Sequence, residues 1–150
     1  MFRGVNVINL DAKGRMAMPA RVRELLLSHG EGRLVATIDT QARCLLLYPV
    51  QEWEEIQKKI EALPSFNPVA RRIQRLLIGH ATDLELDGSG RVLLPQPLRE
   101  YAGLEKQVTL IGQGKKLELW DQAVWTTERE HWLAAEGDGE IPQELQSLSL

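Results

Sequence analysis

Apolar positions fall with period two at Val5 and Val7 and at Met16 and Met18, and the runs Leu34-Val35-Ala36-Thr37-Ile38 and Cys44-Leu45-Leu46-Leu47-Tyr48 follow, which predicts short strands in the first half of the chain. Between the first two lies Asp11-Ala12-Lys13-Gly14, a turn composition in which glycine supplies the positive φ of a tight hairpin, so the loop is read as joining two strands. The period then lengthens. Val22, Leu25 and Leu26 after Pro19 are spaced as on a short helix, and Trp53, Ile56, Ile60 and Leu63 share one face of a helix between Pro49 and Leu63. On its exposed side Glu54 and Lys58, and Glu55 and Lys59, stand at i,i+4. Asn67-Pro68 opens another helix, with an apolar stripe of Val69, Ile73, Leu76 and Leu77 that stops at Gly79. Asp121 caps a last helix containing Val124, Trp125 and Trp132.

The second half repeats the first. The run Leu10-Asp11-Ala12-Lys13-Gly14-Arg15-Met16-Ala17-Met18-Pro19 returns 76 residues later as Leu86-Asp87-Gly88-Ser89-Gly90-Arg91-Val92-Leu93-Leu94-Pro95. The match continues through Val22-Arg23-Glu24 and Leu98-Arg99-Glu100. A second block, Leu45, Leu47, Tyr48 and Trp53, falls on Leu117, Leu119, Trp120 and Trp125 at an offset of 72, so the second copy is about four residues shorter between the blocks. Leu98, Tyr101 and Ala102 repeat the helix after the loop, with Pro97 in its first turn and Gly103 as its C-terminal cap. The chain is therefore divided into a first repeat (1–53), linking helices (54–79), a second repeat (80–125) and a C-terminal helix with an acidic tail (126–150). In that tail Glu136, Asp138, Glu140 and Glu144 stand without Lys or Arg, and the weak periodicity predicts fraying.

A chain of 150 residues suits one ordinary domain or two very small units that share a core. No apolar tract is long enough to span a bilayer, and Met1-Phe2-Arg3-Gly4-Val5-Asn6 lacks the apolar core of an export signal, so a cytoplasmic protein without a membrane partner is expected. Cys44 stands alone beside Leu45, Leu46 and Leu47 and is read as a small core residue. His29, His80 and His131 are far apart, which predicts no metal site, and nothing calls for a cofactor. The net charge of −3 changes the picture once it is split: residues 1–75 carry 12 Lys/Arg against 8 Asp/Glu, and residues 76–150 carry 6 against 13. Because polyanions respond to local charge, the basic half is where a phosphate backbone would be met.

An arginine one residue beyond a glycine turn is held at a hairpin tip, where its planar fork can reach a guanine edge or a phosphate bidentately. Arg15 and Arg91 stand there. Lys13 adds a point charge suited to phosphate, and Arg3, Arg21 and Arg23 lie close in sequence, with Asp11 the only opposing acid before Glu24. The candidate double-stranded DNA contacts are Arg15, Lys13, Asp11, Gly14, Arg91, Asp87 and Arg3. The alternative is structural: Asp11 pairs with Arg15, and Asp87 with Arg91, to fix each turn. Both readings can hold, since an aspartate that orients an arginine supports its contact.

Other features are read as structure. Arg71, Arg72 and Arg75 fall opposite an apolar stripe, as on any solvated helix; Gly88-Ser89-Gly90 lacks the Lys-Ser/Thr of a nucleotide loop. Trp53, Trp120, Trp125 and Trp132 lie in apolar periodic segments, as core or interface anchors do. With no nucleophile–base pair to assign, no catalytic residue and no small-molecule substrate are expected. The competing class is a protein-interaction module whose acidic second half holds a partner.

Met1-Phe2-Arg3-Gly4, Leu10-Asp11-x-Lys13-Gly14-Arg15, Leu46-Leu47-Tyr48-Pro49, Asn67-Pro68 with Arg71-Arg72, and Gly79-His80-Ala81, in that order over nearly the whole chain, resemble the bacterial MraZ family. The resemblance implies an α+β fold of two AbrB-like swapped-hairpin β-barrel repeats packed as an intrachain pseudo-dimer. Units of about 45 residues would be marginal alone, which gives the pairing a physical reason. It further implies a ring-shaped homo-oligomer and a transcriptional repressor of the cytoplasm and nucleoid. Its expected target is short direct repeats in the promoter of the division and cell-wall gene cluster that contains its own gene. The family's DNA-contacting motif falls on Asp11 to Arg15 and on Asp87 to Arg91, where Ser89 replaces Lys13 in the second loop.

Overall fold

The structure, a computed structural model, describes residues 1–135 and 139–149; Glu136 and Asp138, part of the acidic tail expected to fray, lie outside them. In chain order the first repeat contains β1 (Phe2–Asn9), β2 (Arg15–Ala17), α1 (Ala20–Gly30), β3 (Arg33–Ile38) and β4 (Leu45–Pro49). Two helices follow, α2 (Val50–Glu61) and α3 (Pro68–Ile73), the latter running into a π-helical stretch, Gln74–Ile78. The second repeat contains β5 (Thr82–Glu85), β6 (Arg91–Leu93), α4 (Gln96–Ala102), β7 (Gln107–Gly114) and β8 (Leu117–Asp121), before α5 (Gln122–Ala134) and the short α6 (Gln143–Gln146). No described helix is long and apolar enough to cross a membrane.

Each turn is closed by a backbone hydrogen bond, Asp11 N–H to Arg15 O at 3.0 Å and Asp87 N–H to Arg91 O at 2.8 Å, but beyond it the arms do not form a hairpin, because they are exchanged between the repeats. β1 pairs along its whole length with β7, from Phe2 opposite Gly114 to Asn9 opposite Gln107, and β5 pairs with β3. β2 pairs with β6 instead of with β1, which it meets only through the isolated bridge from Leu10 to Met16. A strand of three residues cannot satisfy the peptide groups of one of eight, so β1 finds its partners in the other repeat. The result is a six-stranded antiparallel sheet in the order β1-β7-β8-β4-β3-β5 and a separate β2–β6 ribbon. The two-repeat α+β architecture is as expected; the strands close no barrel among the described residues, since β1 and β5 remain edges.

The registers relate the repeats by a two-fold axis. Across β4 and β8, Leu45 faces Leu119 and Leu47 faces Leu117; across β2 and β6, Arg15 faces Leu93 and Ala17 faces Arg91. In both pairs the residue at position x faces the counterpart of position y, and the reverse also holds, which is what a two-fold produces. A third offset appears between them. Val35 and Val7's counterpart Asp83 are paired as Thr109 and Val7 are, so β3 maps onto β7 at an offset of 74. The four-residue shortening is thus two separate losses, one before β7 and one between β7 and β8.

One core serves both repeats. Met16 and Val92 point inward from the ribbon onto Leu34, Ala36, Leu45, Leu47, Val108, Leu110, Leu117 and Leu119 of the sheet, closed by Leu26 of α1 and Leu98 of α4. Each fully buried aliphatic chain there contributes roughly 1.5–3 kcal/mol, and neither unit retains this core without the other. On the outer face Val35, Leu46, Tyr48 and Trp53 form a second cluster with Leu77 and Ile78, and Cys44, Ile111 and Trp120 a third with Trp125.

Two helical expectations shift. Asn67 caps α3 as read, accepting from the Val69 and Ala70 N–H groups at 2.9 and 3.3 Å, but Ala70 is buried and Val69 is 53% exposed. The wider π turn from Gln74 onward rotates the stripe, so Val69 falls off the face that Ile73, Leu76 and Leu77 share. Lys58 pairs with Glu55 at 3.4 Å rather than with Glu54, a choice between two exposed partners that costs almost nothing. Trp53 and Trp120 are buried as anchors, whereas Trp132 is 51% exposed and packs edge-on against Trp120.

Candidate nucleic-acid interface

Each Asp-x-x-Gly-Arg loop is a closed hydrogen-bonded ring built around its aspartate. Asp11 Oδ1 accepts from the backbone N–H of Lys13 at 2.9 Å and of Arg15 at 2.8 Å, while Oδ2 accepts from Arg15 Nε at 2.8 Å. The Gly14 N–H donates to Asp11 O at 3.0 Å, and φ of +90° at Gly14 makes that return possible. The second loop repeats every bond: Asp87 accepts from the N–H of Ser89 and Arg91 at 2.8 and 2.9 Å and from Arg91 Nε at 3.2 Å. The Arg15 N–H first, with its side chain and the Lys13 N–H, holds the Asp11 carboxyl below its ordinary pKa, and Arg91 does the same for Asp87. Both aspartates therefore stay ionised at neutral pH and fix their arginines through Nε. The terminal Nη1 and Nη2 groups, the fork itself, have no hydrogen-bond partner among the described residues.

The ribbon then brings the two arginines together. Residues paired across antiparallel strands share a face, and so do alternate residues along one strand. Met16 and Val92 are each 1% exposed and face the core, so Arg15, Ala17, Arg91 and Leu93 all face outward. Arg15 and Arg91 are diagonal neighbours on that face, with Cα atoms about 7–8 Å apart. Lys13 and Ser89 project from the exposed turns at the two ends of the ribbon. Arg3 is not part of this surface: it lies at the far end of β1 opposite Gln113, about 25 Å along the strand from the loop.

Each loop also rests on the other repeat. A Cβ at Gly14 would lie 2.7 Å from Arg99 Nε and 2.8 Å from the Leu94 carbonyl, and one at Gly90 would lie 2.3 Å from Arg23 Cδ. The Leu94 N–H donates to Gly14 O at 2.8 Å, and the Met18 N–H to Gly90 O at 3.0 Å.

The family model described as "MraZ protein, putative antitoxin-like" matches residues 1–76 and again 77–136. Among similar chains, the transcriptional regulator MraZ of Halorhodospira halophila (strain DSM 244 / SL1) is 61% identical over 152 residues, with all of both chains covered. Those of Coxiella burnetii (strain RSA 493 / Nine Mile phase I) and Alkalilimnicola ehrlichii (strain ATCC BAA-1101 / DSM 17681 / MLHE-1) are 61% and 56% identical over 153 and 150 residues, again with all of both chains covered. The chain belongs to the MraZ family.

The MraZ family match starts afresh at residue 77, which agrees with the duplication read from the two loop motifs. Sequence reasoning found the loop residues of this MraZ chain but not their common outward face, because strand exchange leaves no local signature. It also grouped Arg23 with the first loop, which it follows in sequence, whereas Arg23 packs on the second. A signal was present: Arg23 and Arg99 are the last arginines of the duplicated motif. A further cluster went unseen. Ligand-type atoms of Asp39, Cys44 and Glu118 lie within 4.8 Å of one another. Burial pushes the Cys44 thiol up and keeps it protonated, Sγ lies 3.5 Å from Asp39 Oδ2 as a donor, and Glu118 accepts from Trp120 Nε1 at 2.9 Å, so each of the three already has a partner within the protein.

Proposed function

We propose that this protein is a transcriptional regulator that binds double-stranded DNA through the outward face of the β2–β6 ribbon. The carrying observation is that Arg15 and Arg91 share that face with their forks unpaired and their Nε atoms held by Asp11 and Asp87. A two-stranded ribbon fits the major groove, where an arginine fork recognises guanine bidentately, and Lys13 beside it suits a phosphate. Asp11, Gly14 and Asp87 act by shaping the loops. Arg3, far from the ribbon, contributes as a backbone contact of a neighbouring site or not at all. This reading invokes no catalytic residue, metal or cofactor.

The finer reading is a repressor of the cytoplasm and nucleoid that assembles as a ring of identical chains. It acts on short direct repeats in the promoter of the division and cell-wall gene cluster holding its own gene. One ribbon offers few contacts, and several identical ribbons engaging successive repeats multiply weak binding through effective concentration. Protomers related by rotation around a ring suit direct repeats as two-fold dimers suit palindromes. The test is retardation of a duplex from upstream of the protein's own gene: the wild type binds, and Arg15→Ala weakens binding while leaving the fold intact.

A second reading, a protein-interaction module, is favoured by exposed apolar residues late in the chain, with Leu133 72%, Ile141 62% and Leu148 58% exposed. A stoichiometric protein partner, together with no DNA retardation at low salt, would select it.

A further inference from the structure

The arginines that follow the two loops have changed sides. Arg99 belongs to the second repeat, yet its guanidinium occupies the space that a side chain on Gly14 would need, and its Nε donates to Leu94 O at 3.0 Å. The Leu94 N–H in turn holds Gly14 O at 2.8 Å, so Arg99, Leu94 and Gly14 form one contact chain from the second repeat into the first loop. By the two-fold, Arg23 of the first repeat lies against Gly90, with Nη1 2.9 Å from the position of a Cβ, and the Met18 N–H holds Gly90 O. Both arginines are half-buried, and Arg99 lines the cleft of about 480 Å³ that opens beside Asp11 and Ala12.

We propose that Arg99 is the positioning residue of the first loop and Arg23 that of the second, so that each loop's grip on DNA depends on an arginine supplied by the opposite repeat. The proposal rests on the DNA-binding reading above and adds to it a cross-dependence that sequence order reverses: Arg23, eight residues after Arg15, serves Arg91. The mechanism is geometric. A fork must be held to a fraction of an ångström to bond bidentately, and Gly14, next to Arg15, is the point where the loop could swing. The planar guanidinium fills the space over the glycine and bonds the Leu94 carbonyl together, which a flexible lysine ammonium does not reproduce.

The experiment uses the full chain with Arg99→Ala, Arg99→Lys, Arg23→Ala and Arg15→Ala variants. Two quantities are read: affinity for a duplex from upstream of its own gene, and the Arg15 and Arg91 Nε–H signals by NMR. Arg99→Ala and Arg99→Lys are each expected to weaken binding about tenfold and to shift the Arg15 signal while leaving that of Arg91 in place. Arg23→Ala is expected to shift the Arg91 signal and weaken binding less, because the loop it serves lacks the lysine. Retention of affinity by Arg99→Lys would reduce Arg99 to a mere cation and overturn the proposal, as would Arg99→Ala shifting Arg91 instead of Arg15. If Arg15→Ala itself binds as the wild type does, the DNA reading fails, and the two signals still decide whether the bracing crosses between repeats. Should Arg99→Ala fail to fold, Arg99→Lys, which keeps a long aliphatic chain and the positive charge but loses the planar group over Gly14, carries the test.

Discussion

The two Asp-x-x-Gly-Arg loops have the same turn and the same hydrogen bonds around the aspartate, and an arginine of the opposite repeat lies against each glycine, yet only Arg99 also bonds a carbonyl there, that of Leu94, and the two are not equal surfaces. The first carries Lys13 where the second carries Ser89, and Gly14 is buried with a backbone carbonyl among the nearest atoms to its Cβ position, whereas the nearest to that of Gly90 all belong to the Arg23 side chain. Duplication therefore preserved the device that aims an arginine and let the charge around it diverge. On the proposed reading, what is common to both loops, the aspartate ring, sets shape, and what differs, one cation and the tightness of the seat, sets binding strength.

The largest expected effect tests the difference in seating. Gly14→Ala forces a Cβ onto the Leu94 carbonyl at 2.8 Å with φ at +90°, and is expected to cost about 2–3 kcal/mol in urea unfolding. Gly90→Ala, at φ of +74° and with the movable Arg23 side chain nearest, is expected to cost about 1–2 kcal/mol; equal costs would erase the distinction. Next, Arg15→Ala is expected to weaken DNA binding by about 1–3 kcal/mol, measured by titration calorimetry or retardation, and Arg91→Ala by less. A larger loss at Arg91 would reverse the ranking of the loops. Ser89→Lys sharpens the comparison from the other side: a cation restored to the second loop should steepen the salt dependence of log affinity by about 0.9. No change in slope would mean that this turn does not approach a phosphate.

The smallest effect concerns protonation. Because the folded pKa of Asp11 is depressed, its contribution to the loop is fully present above the ordinary value of 3.8 and is lost only as pH falls through the lower folded value. The Arg15 and Lys13 amide signals should titrate together below 3.8, and those of Arg91 and Ser89 likewise with Asp87. In Arg15→Ala the Asp11 midpoint should rise only part of the way, since the backbone N–H of residue 15 remains its strongest partner. A midpoint at or above 3.8 in the wild type would show that the ring does not hold in solution.

Much of this architecture is legible in the chain because it is local or repeated. Period-two spacing and short apolar runs gave the strands, Asn67 and Asp121 the caps, and the 76-residue echo of the Asp-x-x-Gly-Arg motif the two units. The π stretch after Gln74 was not legible, since insertion of a wider turn changes the phase of a stripe without changing its composition. Nor was the partner of β1: a turn composition predicts a reversal of the chain, but whether the arms meet each other or a neighbour is decided by which strand is long enough to pair. For the same reason the sequence could name Arg15 and Arg91 separately and could not say that they stand diagonally on one face, nor that Arg99 belongs to Gly14.

The central claim is that one outward ribbon face, carrying Arg15 and Arg91, is where the duplex lies. NMR titration of the full chain with the duplex from upstream of its own gene, following the arginine Nε–H signals, tests it most directly. The account predicts that Arg15 and Arg91 shift first and most, while Arg71, Arg72 and Arg75 on the linking helices stay in place. Shifts concentrated on those three helical arginines, with Arg15 and Arg91 unmoved at saturation, would contradict it.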